Sequence, residues 1–188
     1  MEITLSCEDK KILLDLARKS ISDKLQKKPV DSGLISEIEQ KIQGVCGGAF
    51  VTLKINGNLR GCIGNFGETK SLPKLIHKMA LASAFGDPRF NQLKTEELSL
   101  IEVEISVLSE LFPIEPQNVV IGKHGLYLTL RNFGGVLLPQ VPVEWNWDRE
   151  EFLENLCMKA GLPVGSHLHE KAVLEGFTAD VFSESSLH

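Results

Sequence analysis

The chain has no paired-cysteine framework: Cys7, Cys46, Cys62 and Cys157 stand far apart and form no CxxC spacing. Neither a disulfide-stapled secreted fold nor a zinc motif can be read from them, and all four thiols are expected to be free. The N-terminus lacks the basic, apolar and small-residue regions of a signal peptide, so a cytoplasmic, reducing compartment is expected. No apolar run approaches the ~18 residues that span a bilayer, and no repeat or low-complexity tract occurs. Positive charge is also scarce. A net charge of −5 argues against a general nucleic-acid surface, which needs a concentrated basic face. With no phosphate-cradling glycine loop, metal-ligand spacing or Ser-His-Asp signature, neither a metal site nor a cofactor is assigned.

What is present supports ordinary globular packing. At 188 residues and 43% hydrophobic content, the chain can bury one sizeable core, or build two lobes sharing a cleft. Its central stretch runs from the β-branched and apolar residues 47–55, through Asn56-Gly57, to Leu59-Arg60-Gly61-Cys62-Ile63-Gly64. Asn-Gly tolerates the positive φ pair of a two-residue type I′ turn, so a hairpin is expected. In the simplest register Ile55 faces Asn58, Leu53 faces Arg60 and Val51 faces Cys62, which places Arg60 and Cys62 on an apolar face. An arginine there must pair or line a cleft, since dry, unpaired donors cost several kcal/mol. Either Arg60 bonds a structural carboxylate, Cys62 is a small core thiol and Gly61 and Gly64 shape the sheet, or these four residues form a ligand site.

The flanking segments carry clear local signals. Ser6 and Asp9 make a capping box before Ile12, Leu13, Leu16, Ala17, Ile21 and Leu25, with Arg18 and several lysines on the outer, solvated face. Residues 34–43 hold a short helix, and Ser71 with Pro73 opens another that ends in the Gly86-Asp87-Pro88 turn. Asp87 and Arg89 read as a turn and local ion pair more readily than as a binding edge. Residues 100–108 alternate as a half-buried strand whose polar face carries Glu102 and Glu104, and Glu104 is a candidate partner for Arg60. A second hairpin is expected over 126–138, turning through 132–135, with His124 at its entrance as a candidate proton donor or ligand. Pro139 and Pro142 place residues 138–142 at a sheet edge or lobe crossing, from which Gln140 faces the cleft. Asp148 and Glu151 cap a helix with Cys157 on its core side, His167 and His169 lie in a solvated loop, and 177–182 close a sheet as the last strand.

Several of these segments carry a resemblance. Leu59-Arg60-Gly61-Cys62-Ile63-Gly64, Asp87-Pro88-Arg89-Phe90, residues 104–108, 122–126 and 138–141, Trp147-Asp148 and Lys159-Ala160-Gly161-Leu162-Pro163 are similar, in this order, to segments of the AMMECR domain family. The match covers most of the chain. It implies a single AMMECR domain over 1–188 with an α+β fold, largely antiparallel sheet flanked by helices, in two unequal lobes of which the larger holds both termini. It further implies a protein A role beside Memo-like and radical SAM proteins. Two functions follow as expectations. One is an enzyme or enzyme component with a small-ligand cleft, Cys62 and His124 catalytic and Arg60, Gly61, Gly64, Gln140 and Glu104 binding. The other is a non-catalytic regulatory or protein-interaction module in nucleic-acid or translation control.

Overall fold

The computed structural model describes residues 4–69 and 71–187. The chain is α+β, with two antiparallel four-stranded sheets flanked by helices. In chain order the elements are α1 (Cys7–Leu25), α2 (Ser32–Lys41), β1 (Cys46–Ile55), β2 (Asn58–Thr69), α3 (Leu72–Phe85) and β3 (Ile101–Leu108), then β4 (Phe112–Pro113), β5 (Gly125–Leu130), β6 (Phe133–Leu137), α4 (Gln140–Glu144), α5 (Arg149–Lys159), β7 (Val173–Phe177) and β8 (Ala179–Ser183). They divide into two compact units, Met1–Glu110 with Asp180–His188, and Leu111–Ala179.

In the first unit the strand order is β2-β1-β3-β8. Alternation along β1 and β3 sends Ala49, Val51, Leu53, Val103 and Ile105 to one face, where they are fully buried with Leu13, Ala17 and Ile21 of α1 and Ile76 and Ala80 of α3. Each large apolar side chain buried this way contributes about 1.5–3 kcal/mol. The Ser6–Asp9 capping box starts α1, satisfying orphan N–H groups at its first turn. Arg18, expected on a solvated helix face, instead clamps this unit together. Its Nε and Nη2 donate to Glu184 at 2.5 and 2.7 Å, and its Nη1 and Nη2 to the carbonyls of Leu98 and Ile101 at 2.9 and 2.7 Å. Glu184 also accepts from Val103 N–H at 2.8 Å, so one ion pair fixes helix, strand and returning chain.

The second unit orders its strands β4-β7-β5-β6 and buries Leu126, Leu128, Phe152, Leu156 and Cys157. Asp148 and Glu151 form the second capping box, at the start of α5.

Three expectations give way to tertiary context. The second hairpin turns tightly through Arg131, left-handed at φ 56°, and Asn132, while Gly134 and Gly135 are inside β6. A Cβ on Gly135 would stand 2.6 Å from Ala160 N, so that glycine admits the end of α5 rather than the turn. Residues 140–144 form a short helix and not an extended edge, since prolines in a first helical turn forfeit no intrahelical bond. Residues 177–182 are not one strand: β7 belongs to the second sheet and β8 to the first, with the chain changing units between them.

Candidate functional site

The hairpin forms on its Asn56-Gly57 turn, with φ values of 51° and 78°. Its register differs from the simple one. Ile55 faces Asn58 and Lys54 faces Leu59, but Leu53 faces Gly61, Thr52 faces Cys62 and Val51 faces Ile63. Arg60 is the extra residue of a β-bulge, and residues 61–66 of β2 are thereby shifted to the opposite face, before a second irregularity near the end of the strand. Cys62 therefore lies not with Val51 and Leu53 but on the outward face, with Thr52. Because Thr52 also faces Glu104 on β3, the row across three strands reads Cys62, Thr52, Glu104.

The bulge is anchored from α3. Ser83 Oγ donates to Val51 O at 2.7 Å and accepts from Ile63 N–H at 2.9 Å, so its hydroxyl bridges the two strands. A Cβ on Gly61 would meet Ser83 O at 2.2 Å. Only a residue without a side chain lets the helix backbone come this close. Gly64 serves a neighbouring contact, since its Cβ position lies 2.1 Å from the ring of Phe50, its cross-strand partner.

Cys62 is partly exposed, and its thiol accepts a hydrogen bond from the Thr52 hydroxyl at 3.2 Å. Both polar groups of its backbone are also held. Asp87, with a side chain only 2% exposed, accepts the Cys62 N–H at 2.9 Å. Arg89 donates to the Cys62 carbonyl at 3.2 Å and returns to Asp87 through Nε at 3.0 Å and Nη2 at 2.7 Å. The Arg89 guanidinium first, and the backbone N–H groups of Cys62 and Arg89 after it, hold the Asp87 carboxyl well below the usual carboxylate range despite its burial. The turn read from sequence as a local ion pair is thus the clamp on the cysteine.

Arg60 finds its partner in Glu97, not Glu104. Nε and Nη2 donate to the two carboxylate oxygens at 2.7 and 3.0 Å, a bidentate pair that raises the arginine pKa and lowers that of the glutamate. Phe90 is within cation–π reach of two guanidiniums, its centroid 5.9 Å from Cζ of Arg60 and 5.5 Å from that of Arg89. An open cavity of about 470 Å³ lies here, lined by Arg60, Phe90, Asn91, Gln92, Lys94 and Glu97 among others. Glu104 instead pairs with Lys54 at 2.8 Å on the outward face.

The first unit thus brings together Arg60, Gly61, Cys62, Gly64 and Glu104, while His124 and Gln140 belong to the second. Gln140 opens α4 and is partly exposed. His124 is buried, edge-on to Phe112, and its Nδ1 accepts the Val120 N–H at 3.1 Å. The lone pair is therefore on Nδ1 and the proton on Nε2. Burial first, and the positive charge of Lys123 second, disfavour the imidazolium and lower its pKa. Stability supplied by neutral His124 is full above the ordinary value of about 6.5 and is lost as pH falls through its lower folded value. An NMR titration should give a midpoint below about 6.5 and the Nε2–H tautomer at neutral pH. An Nδ1–H tautomer would contradict this account.

Thr52, Asp87, Arg89 and Glu97 were not read from the sequence as parts of a site. Asp87-Pro88-Arg89-Phe90 did stand among the resembling segments, which was the available signal for two of them. Among the described residues no three His, Cys, Asp or Glu side chains group to hold a metal, and no helix is long and apolar enough to cross a membrane.

Fold and site together define an α+β protein of two antiparallel sheets that carries a clamped, partly exposed thiol on the outward face of the first. The AMMECR1 family model matches residues 14–182. A protein of Methanocella arvoryzae is 41% identical, over 96% of this chain and 93% of its own length, and one of Methanothermobacter thermautotrophicus is 38% identical, over 96% of each. The crystal structure of uncharacterized protein PH0010 from Pyrococcus horikoshii superposes with a TM-score of 0.81 at 38% identity, covering 95% of this chain and 93% of that one. The chain belongs to the AMMECR1 family.

Proposed function

We propose that this protein is an enzyme or enzyme component that takes a small ligand on the outward face of its first sheet, with Cys62 as nucleophile or thiol ligand. One observation carries the reading: the Cys62 N–H is bonded by Asp87 and its carbonyl by Arg89, while Sγ is left on a polar face beside Thr52. Clamping the backbone of a single residue fixes where its side chain points, the preorganisation a reacting or ligating group needs. Lys54 and Glu104 supply charge of both signs on the same face. Arg60, charge-matched by Glu97 at an open cavity and two residues before the thiol in sequence, is the ligand-facing group. The Memo-like and radical SAM proteins implied by the sequence resemblance are the partners to test by co-purification.

Thiol mapping tests the reading. Native protein treated with iodoacetamide should be labelled at exposed Cys7 and at Cys62, while buried Cys46 and Cys157 react only after denaturation. Native mass spectrometry of freshly purified protein should then show a bound small molecule that Cys62→Ser loses. If Cys62 stays unlabelled in the native state, the nucleophile reading fails and a non-catalytic binding module replaces it.

A further inference from the structure

Both tryptophans of the chain, Trp145 and Trp147, stand on one short surface segment of the second unit. Their rings stack, with centroids 6.1 Å apart and planes 20° from parallel, and Trp145 is 68% exposed. Trp147 is the inner ring, packed against the second core. The backbone beneath them is rigidly tied. Trp147 N–H donates to Pro142 O at 2.8 Å and Asn146 N–H to Val143 O at 3.2 Å, with Asn146 left-handed at φ 53°. These two bonds make a Schellman cap at the end of α4, so the outer indole is presented on a fixed base. Val143, on the same turn, is 57% exposed. The fold does not need this exposure, since an indole left in water contributes little packing.

Charge selects the occupant. Exposed Glu144 precedes the pair, and exposed Asp148, Glu150 and Glu151 follow it. The cation within the same segment is Arg149, whose guanidinium donates to Gln117 O at 2.8 Å, and Lys123 follows the Gly122 that lies against Val143. Over residues 144–151 four exposed carboxylates therefore face one cation in the segment that carries the aromatic pair. We infer that the Trp145–Trp147 stack is a docking site for an arginine-bearing segment of a partner protein. A guanidinium lies flat on indole, the strongest of the side-chain cation–π surfaces, and keeps its in-plane N–H donors for the neighbouring carboxylates. A rigid aromatic anchor of this kind loses little entropy when it is covered.

The chain's only tryptophans are these two, so intrinsic emission reads the site directly. Titrating the full chain with hexa-arginine peptide should shift or quench emission to saturation, with an effect that weakens as salt is raised. By calorimetry Trp145→Ala should bind the peptide about tenfold or more weakly, roughly the 1.4 kcal/mol of one hot-spot contact. Trp145→Phe should lose less, and Glu144→Gln with Glu150→Gln should weaken binding and flatten its salt dependence. The melting temperature of Trp145→Ala should fall by no more than a few degrees, because the ring is mostly exposed and loses only its stack on Trp147. Equal peptide binding by Trp145→Ala would overturn the inference. So would unchanged emission up to millimolar peptide, or an equal response to hexaglutamate or a neutral oligosaccharide.

Discussion

Gly61→Ala is expected to destabilise the protein by at least about 3 kcal/mol, a fall of roughly 6–12 °C in melting temperature for a chain of this size. The added methyl would stand 2.2 Å from Ser83 O, and that oxygen is helix backbone, unable to rotate away. Either α3 retreats, breaking the Ser83 hydroxyl bridge to Val51 and Ile63, or β2 shifts and releases Cys62 from Asp87. A control separates this clash from generic loss of glycine. Gly33→Ala, in α2, meets nothing nearer than Asp31 Oδ1 at 3.6 Å and should be neutral or stabilising by up to ~1 kcal/mol. Calorimetry on both variants decides; an unchanged melting temperature for Gly61→Ala would mean that the helix approach is not constrained as described. The sequence left open whether Gly61 shapes the sheet or belongs to a ligand site; in the structure it is the Ser83 backbone that comes close to it.

Asp87→Asn should cost about 2–4 kcal/mol despite its near-identical shape. All four hydrogen bonds to the carboxylate come from donors: Cys62 N–H, Arg89 N–H, and Arg89 Nε and Nη2. An amide turns one acceptor into a donor facing donors and leaves the Arg89 charge without its counterion. The pH dependence gives a second readout. Because the folded-state pKa of Asp87 lies below its unfolded value, the unfolded chain binds the proton more readily. Its stabilisation is full above about pH 4 and disappears as pH falls through the lower folded value. Stability of the wild type should therefore decline more steeply than that of Asp87→Asn as pH is lowered from about 5 to 2. Parallel slopes in urea titrations across that range would refute the assignment. The same variant should also alter iodoacetamide labelling of Cys62, since one side of its backbone clamp is gone.

Local chemistry determined much of what was legible in advance. The Ser6–Asp9 and Asp148–Glu151 capping boxes, the Asn56-Gly57 turn and the alternation that opens β3 each use residues within about four positions of one another and formed as expected, while Ser106, expected on the polar face of β3, is buried. The free state of the four thiols likewise followed from their spacing. The site depends on contacts that no local pattern carries. Arg60 reaches Glu97 across 37 residues, Cys62 reaches Asp87 across 25, and Arg18 reaches Glu184 across 166. The β-bulge at Arg60 is the sharpest case, because side chains alternate with a period of two and one extra residue carries Cys62 from the apolar face to the polar one. The bulge arises where α3 docks its backbone on Gly61 and inserts Ser83 between the strands, a packing event that the hairpin's own sequence does not encode. Sequence alone therefore determined the helix starts and the first hairpin; tertiary packing decided the fates of 140–144 and 177–182, which way the Cys62 thiol faces and which charges hold it, because register and ion pairing are settled by partners distant in the chain.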